Sequence, residues 1–336
     1  MASDVRSGRV RLLSGRIAAA AVTATAAIAG PSRALAEGSD TSDPYAVPAA
    51  PRPPTLPELT HSETEGTLEA TAGAILPNTG GGYTHAYVQR LSVEVPVGRR
   101  RWYVGAEYEL AAGDGRADSG NLEIGGRTLW ATRTGLAFGG GLSLVLPTAI
   151  FDTSGPAAST ALDAASLRPW DVSFFAPSAL GVRPFIDVRA IDGAFVAQFR
   201  QALDVLDTGR QLALYATVGV YLGLWATHHV AVGIEAFEAY AINVERDGKP
   251  IDDSSRAAVV VSPNVRLVLP WVEPAISAFT NIGTPLQGAS DRIWGFRFAF
   301  TVVYDPSRAL GVRTKAGSDN DKTASPGALV PAGALP

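Results

Sequence analysis

The stretch Arg292-Ile293-Trp294-Gly295-Phe296-Arg297-Phe298-Ala299-Phe300-Thr301-Val302-Val303-Tyr304-Asp305 decides the fold. Every second residue from Trp294 is large and apolar: Phe296, Phe298, Phe300, Val302 and Tyr304 follow it. The alternate set, Ile293, Gly295, Arg297, Ala299, Thr301 and Val303, is small or polar apart from its aliphatic ends. A period of two is a strand. A water-soluble sandwich hides its aromatic face and shows solvent a charged one. Here the second face carries one arginine among small residues, which suits a narrow interior. Bulky apolar residues outward and small or polar residues inward is the pattern of a strand that crosses a membrane in a barrel.

Working outward, the same alternation recurs over residues 66–76, 85–97, 102–110, 121–131, 136–148, 179–190, 194–206, 211–225, 230–241, 257–269 and 275–282, separated by turn chemistry. With the opening stretch this predicts an all-β, transmembrane, up-and-down antiparallel β-barrel of about 12 strands over residues 65–305. Connections near residues 98, 133, 192, 228 and 272 are short. Those near 80, 115, 163, 250 and 287 are longer and more polar, whereas the short one at 207–210 breaks the alternation. Within the longest connection, Ser159 to Leu167 is expected to form a helical turn or two capped by Ser159 or Thr160. This threading places Trp102, Trp130, Trp225, Trp271 and Tyr304 at the short-turn ends. It places Tyr83, Tyr87, Tyr108, Tyr240 and Trp294 at the other ends, so two aromatic belts flank the apolar band.

The flanks differ in composition. Arg6, Arg9, Arg11 and Arg16 precede an apolar run from Ile17 to Gly30, and Ala34-Leu35-Ala36 has small-x-small spacing, so residues 1–36 are expected to be an export signal. Residues 37–64, with Pro44, Pro48, Pro51, Pro53, Pro54 and Pro57, read as a proline-rich linker. Residues 306–336 read as a disordered tail. The chain has no cysteine, hence no disulfide framework and no thiolate metal site. Its net charge of −4, with no basic run beyond the leader, argues against nucleic acid as a partner.

The body resembles the outer-membrane β-barrel proteins of Gram-negative bacteria, whose usual assembly signal is a last strand with alternating aromatics like residues 292–304. In those proteins the chain commonly stops at the final aromatic, whereas here it runs on to Pro336. The corner Leu146-Pro147-Thr148-Ala149 is similar to one in the outer-membrane channels associated with degradation of phenolic compounds. The resemblance implies an outer-membrane location, with the lipid bilayer and the outer-membrane assembly machinery as partners; an even strand number in an exported chain is expected to leave both termini in the periplasm.

In this register the lumen receives Glu69, Glu94, Glu107, Glu109, Glu123, Asp187, Asp204 and Glu235, together with Arg90, Arg127, Arg183, Arg189, Arg200, Arg266 and Arg297. Arginine beside carboxylate favours bidentate pairs between neighbouring strands, which brace the barrel or select among solutes. Gly73, Gly105, Gly125, Gly139, Gly141, Gly181, Gly219, Gly223, Gly233 and Gly295 share that face and predict an unfilled interior, unless a loop or the N-terminal segment enters it. Tyr103, Phe185, Tyr215, Tyr221 and Phe279 are expected to line it and to suit small aromatic or amphipathic solutes, or else to fill space beside the glycines. Trp294, Phe296, Phe298, Phe300 and Tyr304 are expected to face lipid.

The function expected is a passive channel or transporter of small molecules that needs no cofactor or metal and is not an enzyme. His61, His85, His228 and His229 are scattered, and no motif sets a serine beside one of them as lipid hydrolysis would require. A barrel with a blocked lumen and a surface-binding role, a lipid-modifying barrel and a soluble exported β protein are the competing expectations.

Overall fold

The computed structural model describes residues 53–56, 64–77, 82–97, 102–113, 116–131, 135–149, 156–209, 212–227, 229–246, 249–250, 256–269, 272–283 and 290–304. The expected export signal, most of the linker, Trp271 and the C-terminal tail lie outside them.

The strands are β1 (Thr64–Pro77), β2 (Thr84–Val97), β3 (Trp102–Gly113), β4 (Arg116–Ala131), β5 (Leu136–Leu146), β6 (Leu180–Asp192), β7 (Phe195–Asp207), β8 (Leu212–Trp225), β9 (Val230–Asn243), β12 (Ala257–Leu267), β13 (Val272–Ile282) and β14 (Ser290–Tyr304). A two-residue pair, β10 (Glu245–Arg246) and β11 (Lys249–Pro250), caps the β9–β12 connection. The twelve long strands close into one antiparallel barrel, each beside its neighbour in sequence, with β1 returning to β14 from Thr64↔Tyr304 to Leu76↔Arg292. Among the described residues no helix is long and apolar enough to cross a bilayer. A closed sheet satisfies the backbone without an edge.

The opening stretch lies as its period requires. Phe298 is 53% exposed on the outside while Arg297, one residue away, is 1% exposed inside. Trp294, Phe296 and Phe300 share the outer face; Tyr304 ends the strand, its side chain outside the described set. This arrangement is the reverse of a soluble sandwich. Trp102 and Trp130 project outward at the short-turn end, and Tyr83 and Tyr87 at the other.

Two local features depart from the sequence expectation, and the short 207–210 connection finds its physical reason. The β3–β4 connection shrinks to residues 114–115, because Ala111-Ala112-Gly113 stays paired with residues 116–118. The short β7–β8 connection is stabilised by Asp207, whose Oδ1 accepts from the Gly209 amide at 2.8 Å, and Gly209 has a positive φ of 72°. The helix in the long connection, α1 (Pro156–Leu167), begins at a proline rather than at a Ser159 or Thr160 cap, because a fixed φ favours the first helical position.

Polar residues on the outer face include Gln89 and Gln201, and among the described residues of mid-strand one is acidic. Glu238 on β9 points outward, in register with Val218 and Val259. Replacing Glu238 by Val is expected to raise folding stability in lipid vesicles by about 1 kcal/mol, whereas Phe298→Arg should lower it by about 2–4 kcal/mol. Equilibrium guanidinium unfolding from vesicles measures both.

Candidate functional site: the occluded lumen

Each charged residue assigned to the lumen from sequence lies on the inner face. Low in the barrel, towards the short-turn end, arginines pair with carboxylates on nearby strands. Arg127 donates to both oxygens of Glu94, at 2.7 and 2.6 Å, and its guanidinium lies 4.5 Å from the Tyr103 ring centre. Arg200 clasps Asp187 at 2.7 and 2.9 Å above Phe185. Arg266 donates to Glu273 at 3.0 Å. Glu273 belongs to β13, which starts earlier than its sequence pattern suggested. Arg189 is also buried low on the wall.

The upper half, towards the long connections, is filled by chain. After Leu146 the chain folds into the barrel rather than away from it. Thr148 makes the corner: its hydroxyl donates to the Gly120 carbonyl at 3.1 Å and accepts from the Leu122 amide at 2.8 Å. Those two groups flank the β4 bulge, where the register with β3 shifts between Tyr108 and Leu110. From there α1, a 3₁₀ turn (Pro169–Asp171) and the one-turn helix α2 (Val172–Phe175) form a plug. Asn121 holds it, donating to the carbonyls of Ser173 and Ala176 at 2.8 Å and accepting from the Ala149 amide at 2.9 Å. Ala161, Ala164, Phe174 and Phe175 pack with Val88 and Ala111 of the wall, and Leu167 and Trp170 join Ile75, Ala86, Phe237 and Phe279.

The plug ends in a charged tip. Arg168 is fully buried and donates to Asp171 Oδ2 at 2.6 and 2.8 Å, to Thr71 at 3.2 Å and, in a very short contact, to Glu69. Its Nη2 is 3.3 Å from Glu109. Arg183 on β6 reaches Asp204, Glu123 at 2.9 Å and, on the plug, Ser173 Oγ at 2.8 Å and the Trp170 carbonyl at 3.3 Å. Trp170 stacks on Phe237 with ring centres 4.3 Å apart. Arg297 lies near Trp170, Phe237 and Phe279.

A second segment crosses the lumen below the plug. Pro53–Leu56, within the stretch read as linker, sits inside the barrel. Glu235 accepts from the amides of Thr55 at 2.9 Å and Leu56 at 3.4 Å. Arg297 bridges Glu235 at 3.1 Å and Thr55 Oγ1, Arg266 donates to the Pro53 carbonyl at 3.1 Å, and Arg90 donates to that of Thr55 at 3.4 Å.

The glycines do not leave an open pore. Leu167 occupies the space at Gly73, Phe185 that at Gly141, Leu56 that at Gly219, Tyr221 that at Gly223 and Gly233, and Phe279 that at Gly295. Tyr103 and Tyr215 are buried as well. Of the five inward aromatics, Phe185 lines a cavity in the lower barrel. That cavity, about 140 Å³, lies in the short-turn half, walled by Arg90, Glu94, Glu107, Arg127, Arg200 and Arg266 and roofed by Pro53–Leu56. Sequence reasoning found the wall charges but missed Arg168, Asp171, Asn121, Thr55 and Glu273. The knot Arg168-Pro169-Trp170-Asp171, beside Phe174-Phe175 in an alanine-rich connection, was the available signal: a loop in water has no need of it.

Removing Arg168 strands Glu69, Glu109 and Asp171 in the interior. Arg168→Ala is expected to weaken plug docking by about 3–5 kcal/mol while the barrel stays closed. Limited proteolysis should then cut between residues 150 and 177, with heat-modifiable gel mobility unchanged.

No protein-family model matches the chain, and no curated sequence does. Among solved structures, the COG4313 outer membrane channel from Pseudomonas putida F1 is similar over 75% of this chain and 99% of its own, with a TM-score of 0.55 at 9% identity. LpxR from Salmonella typhimurium aligns over 72% of this chain and 100% of its own, with a TM-score of 0.42 at 8% identity. The outer membrane channel DcaP of Acinetobacter baumannii aligns over 72% and 96%, with a TM-score of 0.35 at 7% identity. The chain has the fold of an outer-membrane β-barrel.

Proposed function

We propose that the chain is an outer-membrane channel for small polar or amphipathic molecules, held closed by its own plug. The short-turn end and both termini face the periplasm, so the cavity roofed by Pro53–Leu56 is the inner vestibule. The observation that carries this reading is the asymmetry of the lumen. One half is a cavity lined by arginine–carboxylate pairs, and the other is closed by a connection whose tip is held by ion pairs to the wall. Paired arginines and carboxylates along the wall offer both donors and acceptors, which suits solutes carrying both signs or one flat apolar face against Phe185. The chemistry needed is binding and passage; no catalytic step or cofactor enters.

The apolar contacts of Trp170, Phe174 and Phe175 favour a second reading, a permanently blocked barrel whose outer loops bind a partner. Planar-bilayer recording separates the two. For a channel, deletion of residues 156–175 should raise single-channel conductance several-fold over a small wild-type value. Conductance that stays at zero in both proteins would favour the blocked barrel.

A further inference from the structure

We propose that Glu107, Glu109 and Asp171 bind a divalent cation of the calcium class, at the contact between the barrel wall and the plug. Glu107 and Glu109 are alternate residues of β3 and both point inward. Asp171 comes from the 3₁₀ turn at the plug tip. One carboxylate oxygen from each lies within 4.8 Å of the other two. Oxygens around one calcium ion sit 2.3–2.6 Å from it, so a set of this span can share one.

Two further observations point to a ligand. The Glu109 side chain is fully buried, and among the described residues neither of its oxygens accepts a hydrogen bond. Its partner of opposite charge is Arg168 Nη2, 3.3 Å from one oxygen and already donating to Asp171. A buried carboxylate without donors is costly and calls for a compensating charge.

The second observation is charge balance. Lower in the lumen four pairs are one to one: Arg127 with Glu94, Arg200 with Asp187, Arg266 with Glu273 and Arg297 with Glu235. At the plug tip Glu69, Glu107, Glu109 and Asp171 gather around Arg90 and Arg168. Arg297 reaches Glu69 at 3.5 Å but is already spent on Glu235. Arg183, close by, serves both Glu123 and Asp204. The tip is short of positive charge, and one divalent ion supplies two units at the point of closest carboxylate approach. Glu107 also lines the open cavity, which gives a hydrated ion its entry. The ion would tie β3 to the plug and add to the arginine contacts.

The test uses the full chain folded in detergent, washed with EDTA and titrated with Ca²⁺ in a calorimeter. It is independent of whether the barrel conducts. The expected result is one saturable site, with affinity falling roughly tenfold or more in Glu109→Gln and in Asp171→Asn, and with heat-modifiable mobility retained. Tb³⁺ in place of Ca²⁺ should show emission sensitised by Trp170, adjacent to Asp171, and Trp170→Phe should reduce that emission. The Trp170→Phe arm decides the matter should the carboxylate variants fail to fold. Absence of a saturable site in the wild-type protein, binding unchanged in a folded Glu109→Gln, or sensitised emission unchanged in Trp170→Phe would each overturn the proposal.

Discussion

Closure of β1 onto β14 is the constraint on which the rest of the structure depends. Lipid offers no hydrogen bonds to a backbone, so a sheet in a membrane must have no edge. The pairing from Thr64↔Tyr304 to Leu76↔Arg292 meets that demand. It also fixes which side of every strand is inside, because a slip of one residue would exchange the two faces. Arg297 could not then be inside with Phe298 outside. A closed barrel of this size encloses volume that must be filled by side chains, chain or solvent, and each occurs here at a different height.

The filling follows from what the enclosed space tolerates. Carboxylates and guanidinium groups far from bulk water need partners, so they pair across strands at bidentate distances. Glycine appears where an aromatic or a leucine must lie flat against the wall, as Tyr221 does over Gly223 and Gly233. The plug brings apolar residues into the upper half, where the wall offers Val88, Ala111, Ala239 and Ala258, and brings Arg168 to the level of Glu69 and Glu109. Polar meets polar and apolar meets apolar at each height, so the long connection docks in one position.

The barrel was legible in the sequence because its signal is a strict period of two repeated along the body. Even isolated residues such as Asp204 and Glu235 fell on the correct face, since phase within a strand is fixed by its bulky outward residues. The occupants of the lumen were less legible. Arg168, Asp171 and Thr55 lie in segments without periodicity, and such segments say where they go only through the partners they find. The glycines misled for a related reason. A small residue on an inner wall marks either open space or the seat of a large neighbour, and only the register across strands distinguishes the two. The charges were found, but their near-cancellation along the whole wall hid a local imbalance that exists only once Asp171 is brought in from the loop.

Energetics constrain how such a barrel could open. Leu167, Trp170, Phe174 and Phe175 are buried in the upper lumen. Exposing each to water costs about 1.5–3 kcal/mol, so expelling all four costs roughly 6–12 kcal/mol. The ion pairs of Arg168 with Glu69 and Glu109, and the hydrogen bonds of Arg183 to Ser173 and the Trp170 carbonyl, would be lost as well. Spontaneous ejection of the plug would therefore be rare. Rearranging the charged tip is a smaller step, because Arg168 and Arg183 have several acceptors within reach and can exchange partners without baring a lone charge. The same reasoning applies to Pro53–Leu56, held by Glu235, Arg297, Arg90 and Arg266 through hydrogen bonds that water can replace. Among the described residues Pro53–Leu56 carries fewer large buried apolar side chains than the plug and lines the cavity, so its displacement costs less. A route past the wall at the level of the charged tip, with the apolar upper plug still seated, is the opening that these energies favour.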